Sequence, residues 1–188
     1  GTNNTFIGRF AGQSNSTSSN NTFVGFEAGQ ANQGGINNSF VGTTSGKSNT
    51  SGTANTFFGL SAGLSNVVGD GNSFIGTGAG YSNTSGSNNT AIGTIADVGA
   101  GNLDLAAAVG SYAHVTTSDT VVIGKTAGTY HGIVRPADTV RIPGQLRVSN
   151  LIESTSGGFK FPDGTIQTTA SAGGGGGGIF NQTTLQTA

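Results

Sequence analysis

The chain has 188 residues, 35 of them glycine, with no cysteine, methionine or tryptophan; 8% is charged and the formal net charge is −1. A globular domain carries about a quarter charged residues and roughly 7% glycine, so asparagine, serine and threonine must hydrate this one. Near-neutrality removes the electrostatic case for a nucleic acid or an anionic membrane as partner. Without cysteine there are no disulfides and no thiolate metal sites. No run is long and apolar enough to span a bilayer, and no membrane insertion is expected of this segment. No leader peptide is visible, and the opening Gly1-Thr2-Asn3-Asn4-Thr5-Phe6-Ile7-Gly8 starts in mid-motif, as a piece of something longer would.

A repeat begins at once. Gly8, Gly25, Gly42, Gly59, Gly76, Gly93 and Gly110 each close a Phe-Ile-Gly-like triplet, and every successive difference is 17 (25 − 8, 42 − 25 and so on). The next, Gly124, follows after 124 − 110 = 14. A second glycine stands four residues further on at Gly12, Gly29, Gly46, Gly63, Gly80 and Gly128. Such a period marks a solenoid rather than a compact domain. Asn4 to Ile7 carries the aromatic and β-branched residues of a short strand, and the rest of the period is made of turn formers. No helical periodicity occurs. The expected fold is all-β: a parallel β-roll of stacked coils, stabilised by neighbour on neighbour.

Alternation along a strand sorts the side chains into columns. Phe6, Phe23, Phe40, Phe57 and Phe74, continued by Ala91, Ala108 and Val122, form one. Phenylalanine sits in most 17-residue coils, and the 14-residue coil is bounded by Ala108 and Val122. A larger loop accepts a larger inward residue, so this column is expected inside the coil. Ile7, Val24, Val41, Phe58, Ile75, Ile92, Val109 and Ile123 then point outward as an apolar stripe. A stripe repeated on every coil asks for a partner of the same period, most simply identical chains closed by rotation. Beside it runs a hydroxyl column of Thr5, Thr22, Ser39, Thr56, Ser73 and Thr90. The turns Asn15–Asn20, Asn32–Ile36, Asn49–Ala54 and Asn83–Ser87 are expected to project outward and make contacts.

Asn89-Thr90-Ala91-Ile92-Gly93 and Asp119-Thr120-Val121-Val122-Ile123-Gly124 resemble the head repeat of trimeric autotransporter adhesins (YadA-like heads), and the 14-residue spacing before Gly124 matches that family's period. The resemblance covers roughly residues 1–130. It implies a left-handed parallel β-roll, three chains around a threefold axis, and an adhesive role at the cell surface. The 17-residue period and the phenylalanine column depart from the family pattern and suggest a wider coil.

Residues 1–134 are thus assigned to the roll, 135–172 to a neck or adaptor, 173–178 to a glycine linker and 179–188 to the start of a following segment. Asp138-Thr139-Val140-Arg141-Ile142 echoes the Asp119 motif at a spacing of 138 − 119 = 19, and Pro143 then breaks it. Gln145–Ile152 alternates as a strand. Gly158–Thr169 reads as a hairpin turning at Asp163-Gly164. Its Phe161-Pro162-Asp163-Gly164-Thr165 string resembles a motif of phage tail fibres and related bacterial fibre proteins.

Little in the sequence speaks for catalysis. Residues 1–92 hold only Arg9, Glu27, Lys47 and Asp70 as charged side chains, and His114 and His131 stand in no motif. Val68-Gly69-Asp70-Gly71-Asn72 resembles part of a calcium loop, but most coils lack an equivalent aspartate and calcium wants several carboxylates; a turn explains it better. The paired glycines form no phosphate loop, because no helix follows them. No enzyme activity, cofactor or metal is expected. The expectation is a structural or adhesive segment of a homotrimeric extracellular fibre, binding a surface or a host protein or glycan by multivalency. The alternatives are a phage or injection-system tail fibre and, through the hydroxyl column, an ice-binding solenoid.

Overall fold

The computed structural model describes residues 1–130, 133–143, 159–160 and 166–167. Two compact units divide the chain, Gly1–Arg141 and Ile142–Ala188. The first contains a β-solenoid, and no helix occurs among the described residues.

Its main sheet has eight parallel strands, β1 (Thr5–Ile7), β2 (Thr22–Val24), β3 (Ser39–Val41), β4 (Thr56–Phe58), β5 (Ser73–Ile75), β6 (Thr90–Ile92), β8 (Ala107–Val109) and β10 (Val121–Ile123), in that spatial order. Each is three residues long. The register follows the repeat: Phe6 pairs with Phe23, Phe23 with Phe40, Phe40 with Phe57, and finally Ala108 with Val122 across the 14-residue coil. Strands β7 (Asp97–Val98) and β9 (His114–Val115) pair in parallel as a second, two-stranded sheet.

Tight corners make room for these short strands. Gly59 has φ 139°, and a Cβ there would lie 2.5 Å from the carbonyl oxygen of Gly76 in the next coil. From Gly8 to Gly93 the column is therefore required both for its backbone angle and for the coil-to-coil approach. Before each strand one residue is left-handed: Asn3, Asn20, Asn37, Ala54, Gly71, Asn88, Leu105 and Asp119. Asparagine and glycine tolerate this; Ala54 and Leu105 hold it at a steric cost of about 1–2 kcal/mol each.

The phenylalanine column fills the coil. Phe23, Phe40, Phe57 and Phe74 are fully buried, as are Ala91 and Ala108, while Val122 is half-buried. The rings stack nearly parallel with centroids 4.7–5.0 Å apart. Phe6, with a ring neighbour on one side only, stays 37% exposed. Each ring lies on the glycine six residues later: a Cβ on Gly63 (φ 59°) would come 2.5 Å from the Phe57 ring.

Coil length alone does not decide the size of the inward residue, since Ala91 also stands in a 17-residue coil. There the volume is redistributed. Where phenylalanine becomes Ala91 and Ala108, the corner glycine becomes Asp97 and His114, the backbone straightens into β7 and β9, and the buried Val98 and Val115 turn inward instead. Gly128, which the spacing groups with the corner glycines, begins a separate antiparallel hairpin of β11 (Gly128–Tyr130) and β12 (Ile133–Arg135).

Two asparagine ladders complete the core. In the first, Asn21, Asn38, Asn55, Asn72 and Asn89 are fully buried. Each side-chain oxygen accepts from the backbone N–H of the residue 17 positions on, at 2.9 Å, starting with Asn4 and ending at the Ala106 N–H. In the second, the Nδ2 of Asn32, Asn49, Asn66 and Asn83 donates to the Oδ1 of the asparagine one coil before, at 2.7–2.9 Å, and also to the carbonyl three residues ahead. Among the described residues no buried side-chain nitrogen or oxygen lacks a partner. The expectation that the turns beginning at Asn15, Asn32, Asn49 and Asn83 project wholly outward is therefore corrected. Asn32, Asn49 and Asn83 face the core, with Ser18, Gly35, Gly52 and Gly86 buried beside them. Only the tips, such as Gln33, Gly34, Ser51 and Ser85, face solvent.

The compact unit that contains the solenoid runs to Arg141. Asp138 receives the backbone N–H of Lys125 at 3.0 Å, forms an ion pair with its ammonium, and donates its own N–H to the Lys125 carbonyl. In the second unit, β13 (Phe159–Lys160) pairs antiparallel with β14 (Ile166–Gln167). The expected turn at Asp163-Gly164, the expected strand at 145–152, the glycine run 173–178 and the segment 179–188 lie outside the described residues.

Candidate functional site

Strand alternation that buries the phenylalanines turns their neighbours outward. Ile7 and Ile123 are each 59% exposed and Phe58 is 58% exposed; Ile75 and Ile92 are also exposed, and Val24, Val41 and Val109 are half-buried. In-register pairing sets one such side chain on every coil, about 4.8 Å from the next. Exposed Phe26 and Leu60 lie just past the following corner. The flanking hydroxyl column is open at Thr22, Ser39 and Thr56, closes partly at Ser73 and Thr90, and gives way to Ala107 and Val121.

Charges on this body are sparse. Arg9 lies 4.4 Å over the Phe10 ring, and Lys47 pairs with Glu27 at 2.7 Å across adjacent coils. Asp70 accepts both the backbone N–H and the hydroxyl of Thr53, at 2.6 and 3.0 Å, which is a turn contact and not a cation cage. His114 is exposed on β9, and His131 lies outside the described residues. Among the described residues no three His, Asp or Glu side chains cluster as a metal site would require, and no helix is long and apolar enough to cross a membrane.

One feature escaped the sequence reading. Beside the second corner an open groove of about 340 Å³ is lined by Leu60, Thr77, Gly78, Tyr81, Ile95 and Asp97. Each residue belongs to a different column or coil, so no linear motif announces the groove. Its sequence signal is that Asp97 stands where the preceding coils have a corner glycine.

The fold and surface define a parallel β-solenoid with a buried phenylalanine stack, two internal asparagine ladders and an outer apolar stripe. Compared with known proteins, the chain matches no protein family, no curated sequence and no solved structure.

Proposed function

We propose that the chain is a structural and adhesive segment of an extracellular fibre, working as a homotrimer that attaches to a surface or host receptor by multivalent binding. The observation that carries this reading is the exposed column Ile7, Phe58, Ile75, Ile92 and Ile123 with its half-buried members Val24, Val41 and Val109. An uncovered apolar residue on every coil is a contiguous patch of the kind that marks an interface. An identical chain in register matches its period without adjustment, and a rotation closes the assembly. Three copies then present the same weak outer surface three times, which raises avidity without new contacts.

A tail-fibre segment of a phage or injection system is the second reading, favoured by the β13–β14 pairing that flanks the Phe161–Thr165 string. Ice binding is favoured only by the exposed hydroxyls of Thr22, Ser39 and Thr56, and thermal hysteresis in solution would establish it. Sedimentation equilibrium tests the leading reading: the expected mass is three times the 18.5 kDa of the chain. A folded monomer at micromolar concentration would remove the trimer, and with it the proposed mode of action.

A further inference from the structure

We infer that the groove between Leu60 and Asp97 is a binding site for a neutral pyranose ring, of a glycan or of a smaller saccharide. Three residues of adjoining coils, Gly78, Tyr81 and Asp97, converge on it.

Position 78 belongs to a column otherwise filled by Phe10, Glu27, Thr44, Ser61, Ile95 and Tyr112. Gly78 holds the column's left-handed φ, 64°, without strain, and it leaves a notch: a Cβ there would meet only the Ile95 Cγ1, at 3.7 Å. Tyr81 is the aromatic member of the column Gln13, Gln30, Lys47, Leu64, Tyr81, and its ring is 49% exposed. Asp97 replaces a corner glycine. Straightening of that corner follows from Ala91 in the core, but the next coil shows that the side chain need not be a carboxylate, since His114 fills the same place.

The chemistry of the lining suits a sugar. The Tyr81 ring with Leu60 and Ile95 offers the apolar wall on which the C–H face of a pyranose packs. Asp97 Oδ1 accepts the N–H groups of Ser82 and Val98, at 3.1 and 3.0 Å, which fixes the plane of the carboxylate. Its other oxygen has no hydrogen bond among the described residues and can accept from a sugar hydroxyl. Ser61 and Thr77 also line the groove, the Ser61 hydroxyl being paired with that of Thr44 at 2.9 Å. A mostly apolar concavity with few convergent polar groups, at the small end of ligand-site volumes, is the general form of a small-molecule site. The negative charge of Asp97 selects neutral over acidic sugars. The site is built within one chain and does not depend on the trimer.

Saturation-transfer NMR on the whole protein, with the methyl glycosides of glucose, galactose, mannose and N-acetylglucosamine as probes, tests this. At least one probe should receive saturation on its ring C–H protons. Tyr81→Ala should abolish the signal. Asp97→Asn, which keeps the acceptor for Ser82 and Val98, should weaken binding about tenfold or more, whereas Leu64→Ala, one coil away in the Tyr81 column, should leave it unchanged. Absence of transfer to all four probes at millimolar concentration would overturn the inference, and so would binding that survives Tyr81→Ala. Loss of self-association in Tyr81→Ala, with no sugar bound by the wild type, would show that the groove is covered by a second copy instead.

Discussion

A single asparagine illustrates how this core differs from an ordinary one. Asn49 is fully buried, donates from Nδ2 to Asn32 Oδ1 and to the Gly52 carbonyl, and accepts from Asn66 Nδ2 through its own oxygen. Replacing it with alanine leaves the Asn32 oxygen without its ladder donor and the Asn66 amide with one acceptor fewer. An unmet buried polar group costs about 1–3 kcal/mol, so Asn49→Ala should lower the denaturant midpoint with little change in the slope. An unchanged midpoint would mean that water replaces the ladder at no cost. The ladders were not legible in the sequence because asparagine is ordinarily a turn or surface residue. The 17-residue recurrence of Asn21, Asn38, Asn55, Asn72 and Asn89 and of Asn32, Asn49, Asn66 and Asn83 was the one hint otherwise. The phenylalanine column was legible, because alternation and an invariant period locate it together.

The exchange of a phenylalanine–glycine pair for an alanine–valine arrangement is a rule at the scale of one coil. Gly63→Ala would both strain a φ of 59° and drive a methyl into the Phe57 ring, with overpacking costing about 1–3 kcal/mol. In a Phe57→Ala background the ring is gone, and the same substitution should cost less. A double-mutant cycle should therefore return a coupling of about 0.5–3 kcal/mol; simple additivity would show that the ring and the corner do not compete. Sequence alone could not reveal this compensation, because Val98 and Val115 lie on a different side of the coil from Ala91 and Ala108.

The element that closes the described solenoid is held by charge. The hydrogen bond from the Lys125 side chain, then that from its backbone, hold the Asp138 carboxyl below its ordinary value of 3.8. A lowered carboxylate contributes stability above its unfolded pKa and loses it as the pH falls through the folded value. The link between Lys125 and Asp138 should thus persist at neutral pH and release in acid, below the usual aspartate range. The Lys125 amide resonance reports it directly. Asp138→Asn should abolish the acid-dependent shift, and a Lys125 amide indifferent to acid would contradict the clamp. The spacing of 19 from the Asp119 motif pointed to this segment, although residues 138–142 form no strand. The intervening β11–β12 hairpin was not foreseen because Gly128 fits the corner pattern.

For the whole molecule, stacking supplies the stability of the chain, and the uncovered column supplies a reason to assemble. The two faces of one strand are separable by mutation. Phe58 points away from the ring stack, so Phe58→Asp should leave the coil intact while placing a charge on the proposed interface. An unpaired buried charge is costly enough to break an interface. Sedimentation velocity of the wild type beside Phe58→Asp is the most direct test. The wild type should run as a trimer of the 18.5 kDa chain, and the variant as a smaller species with an unchanged β-type circular dichroism spectrum. A wild-type monomer, or a trimer that the new charge leaves undisturbed, would contradict the assignment of the outer column as the surface on which the chains meet.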